Sequence, residues 1–341
     1  MRVHFLERPG RLALREAPVP VPAAGEVLLR VGAALTCGTD VKAYERGHPK
    51  WPMPTPFGHE FAGTVVAVGA GIDAWHEGDE VMAAPTGPCG ECYFCTRQQE
   101  NLCDSIMETM VLGGYAEYVL LPARVVRTNL YAKHDHLSFA EAALLEPLAC
   151  VLHGLAQARV HEPESVVLLG AGAISLLHVC ALRSLGAGDI HVVGRNPERA
   201  RHALDVGADT VIVDDLDTAL ERVRSATQGR GADLVVECTG QIDVWNRAAS
   251  FARRGGQVIF FGGCRQGTEL RLDSQRFHYD ELQLCSPFHF TPHDVEASWQ
   301  MLGHPECAAR RLITASYPLT LLPAALDDHR AGKGVKLAVL P

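Results

Sequence analysis

Four cysteines in the first third of the sequence are spaced as metal ligands. Cys89-x2-Cys92-x2-Cys95-x7-Cys103 places four thiolates within 15 residues. Such spacing suits a closed tetrahedral zinc site that staples a loop. Gly87, Pro88 and Gly90 fit the tight turns it needs. A site with four protein ligands has no position for water, so its role is structural.

A second donor set comes from distant pieces. Cys37 lies in a turn-like stretch, Thr36-Cys37-Gly38-Thr39-Asp40, and offers a thiolate. Gly58-His59-Glu60 offers an imidazole and a carboxylate. Glu146, in Leu145-Glu146-Pro147-Leu148, is a carboxylate in an apolar stretch. A buried carboxylate needs a counter-charge or a proton, and a metal supplies the former. Cys, His and Glu with one open position make a catalytic zinc site. Cys150, one helical turn after Glu146, is a rival ligand.

A third signal binds phosphate. Ser165-Val166-Val167-Leu168-Leu169 runs into Gly170-Ala171-Gly172-Ala173-Ile174-Ser175, a GxGxxG pattern with Ser in the third place. Gly170 permits the tight turn, and Gly172 lets the backbone approach a pyrophosphate. The helix opened by Ala173 and Ile174 supplies N–H donors and a positive dipole end. At the end of the next apolar run, NAD-binding proteins place an acid for the ribose hydroxyls. Here Val192-Val193 leads into Gly194-Arg195-Asn196. The acid is missing, and Arg195 can pair with a 2′-phosphate, assisted by Arg199 one turn on. The expectation is NADP(H), with NAD(H) as the alternative.

The elements that must carry these groups follow from texture. Residues 1–148 are rich in Gly and Pro with short alternating runs, which reads as irregular, mostly β structure. From about 160, apolar runs at 166–169, 190–193, 210–213, 233–236, 257–261 and 282–285 alternate with helical stretches at 173–186, 197–206, 216–227 and 243–253. Strands alternating with helices at this spacing imply a parallel, doubly wound sheet, and an α/β fold. After about 287 the pattern lapses.

Composition narrows the field. At 341 residues the chain is long enough for two domains. Its formal net charge of −9 argues against a general nucleic-acid binder. Eleven cysteines, an odd number, argue against a disulfide framework. Cys150, Cys180, Cys238, Cys264, Cys285 and Cys307 read as buried small hydrophobes. No apolar run approaches a bilayer span, and MRVHFLERPG has no signal-peptide core, so the expected location is cytoplasmic.

Taken together, these motifs resemble the zinc-dependent medium-chain dehydrogenase/reductase family, in the branch containing polyol and threonine dehydrogenases. The resemblance covers essentially the whole chain. It is carried by Cys37-Gly38-Thr39-Asp40, Gly58-His59-Glu60, the four-cysteine lobe, Gly113-Gly114-Tyr115-Ala116-Glu117-Tyr118, Glu146-Pro147-Leu148 and Gly170–Ser175. It implies a GroES-like, mostly-β catalytic domain made of 1–148 and 287–341, with a zinc lobe at about 87–105. A Rossmann cofactor domain would occupy 149–286.

The resemblance also implies roles. Cys37 and His59 would ligate a catalytic zinc, with Glu60 as a third ligand or one that exchanges with water. Glu146 would be a ligand or a water-bridged neighbour. Asp40 would orient His59, and Thr39 would relay the substrate's proton. Thr239, Gly262, Gly263, Pro287 and Phe288 would contact the cofactor, and Lys336 its phosphates. Tyr44, Trp51, Phe57, Phe288, His289 and Phe290, with Thr39 and Lys42, would line the substrate cleft. Two zinc ions per subunit, hydride exchange between a secondary alcohol and NAD(P), and a homodimer or homotetramer complete the expectation. Sorbitol dehydrogenases carry Arg-Tyr where His289-Phe290 align, so a strong donor and a phenol are absent here. The substrate expected is therefore broader: a polyol, sugar-derived alcohol, cyclitol or amino alcohol. A nucleic-acid-binding zinc protein would shift DNA in a salt-sensitive way, and a catalytically inactive relative would turn over no alcohol.

Overall fold

The computed structural model describes residues 1–158 and 163–341. The chain divides into two compact units, one of Met1–Ala149 with Phe290–Pro341 and one of Cys150–His289.

The second unit is a six-stranded parallel sheet. Its spatial order runs Thr210–Val213, Asp189–Gly194, Ser165–Leu169, Ala232–Glu237, Ala252–Phe260 and Gln283–Cys285. Sequence order reverses between Ser165–Leu169 and Ala232–Glu237, the switch point at which such sheets open a crevice. Val166, Val167 and Leu168 are wholly buried, as expected of strands covered on both faces. Side chains start the helices: Asn196 caps Pro197–Asp205 and Asp215 caps Leu216–Ala226, each accepting two backbone N–H groups. The helix expected over 243–253 ends at Ala248 instead. A 3-10 turn follows, and a strand takes over at Ala252 because Phe251 and Ala252 are drawn into the sheet core.

The first unit is built on antiparallel pairing. Val27–Leu35 is its central strand, flanked by Phe61–Val68, Tyr118–Leu121 and Lys336–Leu340. Leu29, Phe57, Phe61, Val65, Val81 and Leu121 make one core with it. The stretch Thr36–Asp40 is not the turn expected. A helix, Gly38–Arg46, begins there with Cys37 as its cap, and Cys37 Sγ accepts the Thr39 N–H at 3.4 Å. Cysteine is seldom a cap, which hid this helix start. The helical stretch Phe139–Ala156 is apolar and 18 residues long, and Glu141 and Glu146 interrupt it. Two-thirds of it is buried inside the fold.

Candidate active site

Strand register assembles the first donor set. Ala34 pairs with Phe61, so Cys37 and His59-Glu60 leave neighbouring strands at the same end. Leu35 N–H donates to the Glu60 carbonyl at 2.9 Å and locks that junction. The ligand atoms of Cys37, His59 and Glu60 lie within 4.8 Å of one another. A thiolate, an imidazole and a carboxylate so placed fit a zinc ion.

The imidazole is held from behind. Asp40 Oδ1 lies 3.0 Å from His59 Nδ1, and both side chains are buried. That contact leaves Nε2 for a metal. The Tyr115 hydroxyl sits 2.6 Å from Asp40 Oδ2 and 2.9 Å from the Leu35 carbonyl. Burial, then the Asp40 charge, pushes the phenol well above its usual range. Gly58 has φ +93°, and a Cβ there would come 2.6 Å from the Tyr115 ring. Only glycine therefore lets Tyr115 pass beneath His59 to reach Asp40. Burial lowers the His59 pKa, but Asp40 and Cys37 more than reverse this and hold it well above the ordinary value. The surroundings of His59 thus favour a positive charge, whether proton or metal ion.

Lys336, expected at the cofactor phosphates, has its ammonium on Glu60. It reaches both carboxylate oxygens, one at 2.5 Å, and is 1% exposed. Residue 336 opens a strand that pairs beside Leu35, which brings it to the donor set. Burial and Glu146 raise the Glu60 carboxyl and Lys336 lowers it, for a net value of about 7. Glu146 is buried in the helix Leu145–Ala156; it lies outside the clustered donors but acts electrostatically on both Glu60 and Lys336. Thr39, half-buried, occupies the first turn of the helix capped by Cys37.

The four-cysteine lobe is a separate centre in the same unit. All four sulfurs lie within 4.8 Å of one another, and Cys89 and Cys95 are 3.8 Å apart. Zinc–sulfur bonds of about 2.3 Å set tetrahedral sulfurs about 3.8 Å apart. Backbone N–H groups of Glu91 and Cys92 point at Cys89 Sγ, and that of Cys89 at Cys103 Sγ. Amides from Cys95 and Asp104 pull the Cys92 thiol down to about 6, whereas burial and the neighbouring thiols push Cys95 up to about 12. Successive deprotonation of this kind is what a divalent cation would complete.

In the second unit, the strand Ser165–Leu169 turns at Gly170, with φ +116°. Gly172 caps the helix Ala173–Ser184 without any side-chain bond, and a Cβ there would meet nothing within 4 Å. The protein itself does not demand glycine at 172; the space and the uncapped N–H groups fit a pyrophosphate. Ser175 is fully buried. Arg195 is exposed, and its guanidinium donates to Gln241 Oε1 at 3.4 Å. Arg199 is half-buried on the next helix, its N–H accepted by Asn196. Glycine at 194 has a steric reason, since a Cβ would lie 2.7 Å from Ala171 Cβ. Thr239 packs against Gly170, and the Gly262 carbonyl accepts the Trp245 indole N–H at 2.9 Å.

The residues expected to line a substrate cleft divide. Phe57 is wholly buried among core side chains, edge-on to Trp51 and Tyr115, so it supports the site rather than lining it. Phe290 is likewise 2% exposed. Trp51 is buried between His48 and His59, and the Tyr44 hydroxyl donates to Gly10. Phe288 is 45% exposed, and His289 has φ +64°. Two site-building residues carry no sequence signal of their role: Tyr115 behind Asp40, and Glu237. Glu237 ends an apolar strand in Leu234-Val235-Val236-Glu237, a carboxylate in an apolar stretch like Glu146.

Comparison with known proteins agrees. Residues 23–129 match the alcohol dehydrogenase GroES-like domain, and residues 173–303 match the zinc-binding dehydrogenase domain. A sorbitol dehydrogenase from Halalkalibacterium halodurans is 30% identical over 97% of this chain and 96% of its own. A zinc-binding dehydrogenase from Sinorhizobium meliloti, solved with NADP, superimposes with TM-score 0.89 at 28% identity over 100% of this chain and 99% of its own. An alcohol dehydrogenase from Escherichia coli CFT073, solved with NADH, gives 0.89 at 25% identity over 100% and 99%. The chain belongs to the zinc-dependent alcohol dehydrogenases of the medium-chain family, with a GroES-like domain and a Rossmann-type sheet. It is an oxidoreductase acting with a nicotinamide dinucleotide on a small alcohol.

Proposed function

We propose that this enzyme interconverts a secondary alcohol carrying a second polar group, of polyol or sugar-derived type, and its ketone, with NADP(H) as the preferred cofactor. The observation that carries the reading is the Cys37, His59 and Glu60 cluster backed by Asp40. Cys37 and His59 would hold a catalytic zinc, with Glu60 and Glu146 beside it. Cys89, Cys92, Cys95 and Cys103 would hold a second. Zinc bound at the first site would supply Lewis acidity to an alcohol or carbonyl oxygen, and a bound nicotinamide would take or give the hydride.

The chain's own residues do the rest. Asp40 fixes the His59 ring, and Tyr115 fixes Asp40. Thr39 receives the alcohol proton at its hydroxyl and passes it toward solvent. Gly170 and Gly172 admit the pyrophosphate, while Arg195, with Arg199, receives the 2′-phosphate. Thr239, Gly262, Gly263, Pro287 and Phe288 border the rest of the cofactor. Tyr44, Trp51 and His289 remain candidates for substrate contact. The solved relatives with NADP and with NADH support a dinucleotide of either kind; the absent acid at 194 and the adjacent Arg195 favour the phosphorylated one. A cytoplasmic homodimer or homotetramer accords with the family.

A panel of polyols, aminocyclitols, amino alcohols and simple secondary alcohols, assayed with both cofactors, tests this. Turnover of at least one polyhydroxylated secondary alcohol, faster with NADP, is expected. Turnover of primary alcohols alone, or of none, would overturn the reading.

A further inference from the structure

Glu237 ends the strand Ala232–Glu237, opposite Leu169 and beside the switch point of the sheet. It is wholly buried. Its backbone carbonyl accepts the N–H groups of Phe261 and Gly262, both at 2.9 Å. Its carboxylate turns back on the following residues. It accepts the Thr239 N–H at 2.7 Å, the Gly240 N–H at 3.2 Å and the Thr239 hydroxyl. One residue therefore ties down two loops, one through its main chain and one through its side chain.

Those loops touch each other and the dinucleotide turn. A Cβ on Gly240 would lie 2.4 Å from the Gly263 carbonyl oxygen, and one on Gly262 would lie 2.3 Å from the Gly240 nitrogen. A Cβ on Gly170 would meet Thr239 Cγ2 at 3.0 Å. Gln241, one residue on, donates its N–H to Thr239 Oγ1 at 3.1 Å and accepts from Arg195. From the Glu237 carboxylate, contact thus runs to Gly170, to Gly262-Gly263 and to Arg195.

Among the described residues, the hydrogen-bond partners of this carboxylate are uncharged groups and no cation pairs with it. Such a charge disfavours folding. Burial accordingly raises its carboxyl, with Thr239 and Gly240 pulling the other way. A glutamine would fill the same space without the charge. Its amide nitrogen, however, donates rather than accepts, and would face the Gly240 N–H, which both carboxylate oxygens now accept at 3.2 Å. The bonds from Thr239 and Gly240 offset part of that cost and hold the loop after Glu237 in one shape.

We propose that Glu237 is a positioning residue for cofactor binding: its carboxylate sets the Thr239-Gly240 loop against Gly170 and Gly262-Gly263 before the dinucleotide arrives. The inference rests on the dinucleotide reading of Gly170–Ser175.

The test is Glu237→Gln, with Glu237→Asp as the milder variant that keeps the acceptor on a shorter arm. Two quantities are read: the dissociation constants of NADPH and NADH by fluorescence titration, and the thermal midpoint of cofactor-free protein. Expected for Glu237→Gln is at least a tenfold weaker constant for the preferred cofactor with no lowering of the cofactor-free midpoint. A constant within twofold of wild type overturns the proposal. So does weaker binding accompanied by a lowered midpoint, which is what a purely structural role predicts. If Glu237→Gln does not fold, Glu237→Asp decides by the same pair of readings, with at least threefold weaker binding expected. Wild type that binds neither cofactor would instead sink the dinucleotide reading itself.

Discussion

Lys336 and Glu60 are joined by a buried ion pair across 276 residues of sequence, with the lysine 1% and the glutamate 0% exposed. Removing one partner of such a pair strands the other charge, at about 3–5 kcal/mol. Lys336→Met should therefore destabilise the fold on that scale in chemical denaturation. Glu60→Gln combined with Lys336→Met should recover much of the loss, because Glu60 no longer carries a charge that the lysine must neutralise. A double variant as unstable as the sum of the singles would mean that the two side chains act independently.

Metal content separates the two cysteine centres. Elemental analysis of purified protein should find about two zinc ions per chain, and Cys37→Ser about one. Cys95→Ser should fail to accumulate as folded protein, since a closed site contributes its binding energy to the fold. Full activity with a single zinc would refute the two-site arrangement.

Thr39→Val keeps the side-chain shape and removes the hydroxyl. Zinc content should stay as in wild type while turnover falls about 10²-fold or more, the scale of a positioned proton-transfer group. Normal turnover at neutral pH would assign the proton to another route.

Arg195→Leu tests cofactor choice. A charge-assisted bond to a 2′-phosphate is worth about 1.5–3 kcal/mol, so NADP(H) affinity should fall roughly 10–150-fold while NAD(H) affinity stays within a few-fold. Equal losses for both cofactors would show that Arg195 does not read the phosphate.

His178 makes a pH-dependent contribution to folding. Burial lowers its pKa to about 4, only partly offset by its bond to the Ile174 carbonyl. The folded value lies below the unfolded one, so the unfolded chain binds the proton more tightly. Stability is full above about pH 6.5 and declines as pH falls toward 4, by about 3 kcal/mol over that window. His178→Leu should flatten this part of the stability profile. An unchanged slope would place the acid sensitivity elsewhere.

What could be read from the chain alone depended on how local the signal was. The strands at 165–169 and 232–237 are covered on both faces, so each shows an apolar run, Val166–Leu169 in one and Leu234–Val236 in the other, and the glycines after Leu169 mark the turn that follows. The four-cysteine lobe is legible because its ligands fall within one loop. The role of Lys336 is not legible locally, because its partner Glu60 lies 276 residues away in sequence. Phe57 and Phe290 are core residues that the sequence does not separate from a cleft lining, because aromatic side chains line cores and pockets alike. Tyr115 stood in a recognised motif, but its reach to Asp40 depends on the space opened by Gly58.

The length of chain between Glu60 and Lys336 also sets an order of events during synthesis. At about 5–20 residues per second, roughly 15–55 s of translation separate the carboxylate from its ammonium partner. The contiguous segment Cys150–His289, one of the two compact units, emerges complete in that interval. The strand Lys336–Leu340, which pairs with the central strand beside Leu35, arrives only afterwards. A nascent chain therefore carries Cys37, His59 and Glu60 through most of its elongation without the ammonium group that neutralises Glu60. A ribosome that stalls before residue 336 would leave Glu60 without its cation although Cys150–His289 is already complete.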